Sequence, residues 1–267
     1  MRKLKAFSFM SIASLSILSA CNTPSDERSA SRDNDSGEAS NSAELEEENT
    51  SLTEEEVLQE TVKQLDTNIP IWAPASLDLS EEHHLTATTN STNTSYEVEL
   101  FSLDEPTSIN NEALSDEDPF FLFSSSTFEN QEAAIDHIQS ELDGYLTFES
   151  ETEKVDLGYD ITGQVQAGTG HSGVAWNEGI WELRSIASGD QIKEAEPLAK
   201  EVVDLLEEIT LPAPDELGTV FINQDQEEGT LTELYWQKDS QVFKAQSTSL
   251  APEDVLKIVS TMEEWRS

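Results

Sequence analysis

The chain carries one cysteine, Cys21, in 267 residues, so it cannot close a disulfide on itself and its folded part must be held by packing alone. Basic residues are scarce too, 14 Lys and Arg against 55 Asp and Glu, for a formal charge of -41. No Lys/Arg cluster occurs after Lys5. A surface without a basic face repels nucleic acid and anionic headgroups, so nucleic acid is not expected as a partner. The four histidines, His83, His84, His137 and His171, show no HExxH or other metal-ligand spacing. Three separate segments would have to converge on one ion, so neither a metal nor another cofactor is expected. The uncharged stretch Ala6 to Ala20, interrupted by Ser8, Ser11, Ser14, Ser16 and Ser19, is shorter than the ~20 apolar residues that span a bilayer as a helix.

That stretch follows Arg2, Lys3 and Lys5, a cationic start before an apolar run, which is the pattern of a secretion signal. It ends in Leu18-Ser19-Ala20-Cys21, an aliphatic residue, two small residues and a cysteine. These four positions resemble the bacterial lipobox. The resemblance implies that residues 1–20 are a signal peptide, that Cys21 takes a thioether-linked diacylglycerol, and that Cys21 becomes the mature N-terminus. The partner so implied is the outer face of a bacterial cell membrane, held by acyl chains at ~0.8 kcal/mol per buried methylene. An ordinary secretory signal with a fortuitous cysteine is the alternative.

Residues 21–52 are rich in Ser, Asn, Asp, Glu and Gly and almost free of apolar side chains. Such a segment buries too little surface to offset chain entropy and is expected to be a disordered acidic tether. Thr53 and Glu56 then form a capping box for a helix over about 53–66, with Leu58, Val62 and Leu65 inward. Residues 68–79, with Pro70, Trp72 and Pro74, are expected to be extended chain that covers something. Strands are expected at 85–89 and 96–103, joined through Asn90-Ser91-Thr92-Asn93. An acidic loop follows at 104–118, then a short aromatic strand at 120–123. Asn130 caps a helix to about Asp143, stopped by Gly144, and another strand is expected at 145–149. These make an N-terminal α+β part, 53–150.

The remainder repeats itself. Leu157-Gly158 precedes Trp176 by nineteen residues, and Leu217-Gly218 precedes Trp236 by nineteen. Gln164 and Gln166 recur as Gln224 and Gln226, so the offset is 60. Each Trp is followed by a turn, a strand and a helix, the helices over about 196–209 and 252–264. The copies are about 155–210 and 215–265, a duplicated strand-turn-strand-helix unit. Strand 96–103 with helix 130–143 is a third, more divergent candidate. Within 231–262, the succession Trp236, a polar turn, Phe243, Leu250, Glu253 and Ile258 resembles an uncharacterised domain family of Gram-positive lipoproteins and anti-sigma-factor-type proteins. The resemblance implies a fold and no established activity. The fold class expected is α+β, antiparallel sheet with helices on one face.

Few motifs carry chemistry. Gly168 to Gly173 spells GxGxxG, but a strand rather than a helix is expected after it, so it reads as a hairpin loop rather than a phosphate cradle. Val174 stands where GxSxG requires its last glycine. The aromatic candidates are Trp176, Trp181 and Trp236, each a core residue or, if exposed, a contact residue. The function expected is a non-enzymatic binding module of the cell envelope that meets an envelope protein or a wall polymer. A wall-directed hydrolase and a partner in envelope or sporulation stress signalling are the alternatives.

Overall fold

A computed structural model describes residues 52–77, 83–142, 153–168, 171–188, 195–225 and 229–265. The expected signal peptide, Cys21, the expected tether up to residue 51, Gly144 and the strand expected at 145–149 lie outside the described residues. Residues 49–267 form one compact unit.

The unit opens with helix α1 (Glu54–Lys63), whose capping box is formed as expected, Thr53 and Glu56 each satisfying the other's backbone. Strand β1 (Ile71–Pro74) follows. The next strands are β2 (His84–Thr92), β3 (Ser95–Leu103) and β4 (Phe121–Thr127), after which comes helix α2 (Gln131–Glu141). The β2–β3 turn lies at Asn93-Thr94, later than the polar segment suggested. The expected loop contains a 3-10 turn (Glu112–Asp116) that buries Leu114. The second half runs β5 (Glu153–Gly158), β6 (Ile161–Gly168), β7 (His171–Glu178), β8 (Trp181–Ser188), α3 (Ala195–Leu206), β9 (Gly218–Asp225), β10 (Gly229–Lys238), β11 (Gln241–Ser247), α4 (Pro252–Ser260) and β12 (Met262–Trp265). Ten strands make one sheet in the order β2-β3-β4-β11-β10-β9-β8-β7-β6-β5. Every pairing in it is antiparallel except β8–β9. The fold class is α+β with a predominantly antiparallel sheet.

The sixty-residue repeat is visible in the architecture. Strands β6-β7-β8 followed by α3, and β9-β10-β11 followed by α4, run in the same order and with the same antiparallel pairing. The two meet side by side at the single parallel pairing, because the chain returns through α3 to begin the second meander alongside the end of the first. Their apolar residues share one face. Trp176, Leu183, Val220, Leu234, Trp236, Phe243 and Ala245 are buried there together with Leu198 and Val202 of α3 and Leu256 and Val259 of α4.

Helix α2 departs from the expected one-faced arrangement. Its Ala134, Ile138 and Leu142 pack with Tyr235 and Val242, which alternate with Leu234, Trp236 and Phe243 and therefore point to the opposite face. Among the described residues, α1, α3 and α4 cover one face and α2 covers the other. The physical reason is that β10 and β11 are apolar on both sides where α2 lands. For the same reason β2-β3-β4-α2 is not a third copy: its helix crosses to the other face and lies over β10 and β11.

The last helix also ends early. Thr261 caps it, and residues 262–264, expected to be helical, instead form β12 with Trp265 and pair with β1 from Ile71↔Trp265 to Pro74↔Met262. The proline-rich segment does cover something. Trp72 lies against Phe243, ring centroids 5.5 Å apart, and Tyr96 Oη donates to the Trp72 carbonyl at 3.0 Å.

Candidate functional site

In the first copy, the β7–β8 hairpin pairs Glu178 with Trp181 and Trp176 with Leu183. The side chains at 176, 178, 181 and 183 therefore project from one face. Trp176 and Trp181 have opposite sequence parity and still share a face, because the two-residue turn Gly179-Ile180 resets the alternation. Gly179 has φ +61 at the first turn position, a conformation that suits glycine. Inside the hairpin the Trp176 indole Nε1 donates to Glu178 Oε1 at 3.1 Å. Burial pushes the Glu178 carboxyl above its ordinary range; the indole bond pulls it back, and the charge of Glu207 pushes it up again.

Glu178, Gly179 and Trp181 of this hairpin border a cavity of about 460 Å³ between the hairpin end and the chain leaving α3. Trp181, Leu206 and Leu211 give it apolar walls, and Glu178 and Glu207 supply two carboxylates. Tyr159 stands at the rim, 59% exposed and at φ +51, a backbone region that bulky residues rarely occupy. Ile180, at the second position of the β7–β8 turn, is 47% exposed.

The second copy presents the same place differently. Trp236 corresponds to Trp176, Lys238 to Glu178, Gln241 to Trp181 and Phe243 to Leu183. The Trp236 ring stacks on Phe243 at 5.2 Å. Lys238 Nζ lies 5.3 Å from the Trp72 ring centre, and Gln241 Nε2 donates to the Pro70 carbonyl at 2.9 Å. The chain's own residues 70–72 thus cover the hairpin end that stays open in the first copy. A lysine cannot accept a hydrogen bond, and the buried Trp236 Nε1 has no partner.

The structure buries all three candidate tryptophans. Trp176 and Trp236 are at or below 1% exposure and Trp181 is at 7%, with one edge on the cavity. The contact role is therefore open to Tyr159, Ile180 and the cavity edge of Trp181, and not to Trp176 or Trp236. Glu178 and Glu207 were not singled out in the sequence, although the exchange of Glu178 for Lys238 at one repeat position was the available signal. Gly168 closes β6 and strand β7 begins at His171, so no helix follows the glycine-rich segment. His83 lies 3.4 Å from Asp104, His84 is on β2, His137 stacks on Phe128, and His171 begins β7. Among the described residues no three His, Cys, Asp or Glu side chains come together as a metal-binding group.

On the other face, Tyr235 Oη donates to Glu233 Oε1 at 2.9 Å, with Glu141 Oε2 at 3.4 Å as a second acceptor. Lys244 Nζ lies 2.7 Å from Glu233 and 5.2 Å from the Tyr235 ring centre. Burial, and then the two carboxylates, hold the phenol firmly protonated. This network ties α2 to β10 and β11. A wider groove of about 960 Å³ runs between α1, β1 and β12, lined by Val62, Leu65, Ile69 and Trp265. No helix of the described residues is long and apolar enough to cross a membrane.

Comparison with protein-family models, with curated proteins and with solved structures finds no match for this chain.

Proposed function

We propose that this protein is a lipoprotein anchored through Cys21 to the outer face of a bacterial cell membrane, and that its folded unit is a non-enzymatic binding module of the cell envelope. The anchoring part is supported by the position of the only cysteine at the end of Leu18-Ser19-Ala20-Cys21, directly behind a cationic and then apolar segment. Two acyl chains hold a protein stably where one would be marginal. The spacer 21–52 gives reach: a coil of that length has a root-mean-square span of about 30 Å, from ~5–6 Å times the square root of residue number.

The observation that carries the binding part is the contrast between the two copies. A hairpin end that one copy covers with its own residues 70–72 is left open in the other, with apolar walls and two carboxylates beneath an exposed tyrosine. Pockets of this size and lining are where small groups are held. Cys21→Ala tests the anchor. The expected result is uncleaved precursor that no longer takes up a fatty-acid analogue; a processed, unlabelled wild-type protein would remove the anchoring part of the proposal.

A further inference from the structure

We propose that the cavity between the β7–β8 hairpin and the end of α3 binds a primary alkylammonium group, with Glu178 and Glu207 facing the charge and Trp181, Leu206 and Leu211 enclosing the alkyl stem. This deepens the binding reading above and rests on it.

The internal repeat supplies the argument. At the corresponding place in the second copy the chain provides its own occupant: an aromatic ring, Trp72, with the Lys238 ammonium 5.3 Å from its centre. In the first copy the basic residue is replaced by Glu178 and no segment covers the hairpin. What the second copy satisfies internally with its own cation, the first leaves to be supplied from outside. Among the described residues neither Glu178 nor Glu207 has a basic partner. Burial and then the charge of Glu207 make it harder for Glu178 to stay ionised, so a cation placed between the two carboxylates relieves both burial and repulsion at Glu178.

The remaining features select among cations. Glu178 and Glu207, even with Asn177 and Thr210 on the same lining, offer too few oxygens for calcium, which takes six to eight. A cation on an apolar stem gains instead from wall contact. The exposed Tyr159 ring at the rim can face the ammonium and attract it through its π face. About 460 Å³ accommodates a group of side-chain size rather than a folded segment.

The test titrates the full-length protein in detergent with Nα-acetyl-lysine methylamide, followed by tryptophan fluorescence and calorimetry at moderate salt. Nα-acetyl-norleucine methylamide is the uncharged control with a similar stem. The expected result is saturable binding of the lysine probe, at least tenfold weaker binding of the norleucine probe, and at least tenfold weakening of the lysine probe in both Glu178→Gln and Glu207→Gln. Glutamine at 178 keeps an acceptor for Trp176, and a retained melting transition shows that each variant folds. Spermidine run in parallel separates the sources, tighter spermidine binding marking a free polyamine and tighter lysine-probe binding a peptide. Equal binding of the lysine and norleucine probes, or lysine-probe binding unaffected by either Gln variant, overturns the inference, the latter being diffuse attraction to an acidic surface. A neutral N-acetylhexosamine that saturates the cavity while ammonium probes do not would leave the binding reading standing and remove the cation. Failure of every probe removes both.

Discussion

Trp176 and Trp236 occupy one position in two copies of a repeat, yet only Trp176 has an acceptor for its indole N–H. Replacing each by Phe removes similar apolar area but different polar partners. Trp236→Phe deletes an unsatisfied donor, whereas Trp176→Phe leaves the Glu178 carboxylate without its bond. Trp176→Phe is therefore expected to destabilise by more, the difference being about 1 kcal/mol, as read from urea unfolding. Equal losses, or a larger loss at 236, would contradict the assignment of the bond.

The raised carboxyl of Glu178 has a defined consequence for pH. A group that holds its proton more tightly folded than unfolded contributes stability that is full below the unfolded value and lost as pH rises through the folded one. At neutral pH the ionised Glu178 therefore weakens the fold. Glu178→Gln should raise the melting temperature at pH 7 and bring little change near pH 3. Glu207→Gln should reproduce part of the gain by removing the second charge. A melting curve for Glu178→Gln that parallels wild type at all pH values would refute this.

Gly158 and Gly218 stand at the same repeat position for different reasons. Gly158 sits at φ +96 with open space around it, so alanine there meets only backbone strain. At Gly218 an added methyl would lie 2.6 Å from Trp181 Cδ2 and 2.7 Å from Pro214 Cγ. Gly218→Ala is expected to cost about 1–3 kcal/mol by overpacking and to shift tryptophan emission. Gly158→Ala should destabilise without that shift.

Trp72 is the cover of the second hairpin. Trp72→Ala should lose about 2 kcal/mol, less than the ~3–5 kcal/mol of a fully buried tryptophan, because the side chain is only partly buried. Lys238→Gln should lose only about 0.5–1 kcal/mol, the cation–ring term at a partly exposed site. Denaturant midpoints of the two single variants and the double variant measure the coupling, and strictly additive losses would deny the contact.

A formal charge of -41 strains the compact state by self-repulsion, which salt screens. The melting temperature should rise between low and molar NaCl. No rise, or a fall, would show that the acidic residues are spaced too widely to repel.

The repeat was legible because Leu-Gly, the glutamines and Trp recur at a fixed offset, and strands β6 to β11 follow that offset. The covering role of 68–79 was legible from its prolines. What the sequence hid were relations set by pairing across the sheet. Periodicity along 252–264 suits a helix, but Met262 to Trp265 have β1 as a partner, and that partner lies far back in the chain. The stripe Ala134, Ile138 and Leu142 showed that α2 is amphipathic without showing which face of the sheet receives it. The cavity stayed hidden because Glu178 is one of 55 acidic residues. It becomes distinct only beside Trp176, Glu207 and the lysine of the other copy.

The pairing of β4 with β11 sets a timetable for assembly. Phe123 lies opposite Ala245, so the β2-β3-β4 meander cannot complete its inner edge until almost the whole chain is available. Contacts of such long separation form slowly, and until they form the β4 edge, with Phe121 and Phe123, offers unpaired backbone to other chains. Truncation after α3 should therefore yield an aggregating product rather than a smaller stable domain. The rate of folding, more than the final stability, is the property this topology places at risk.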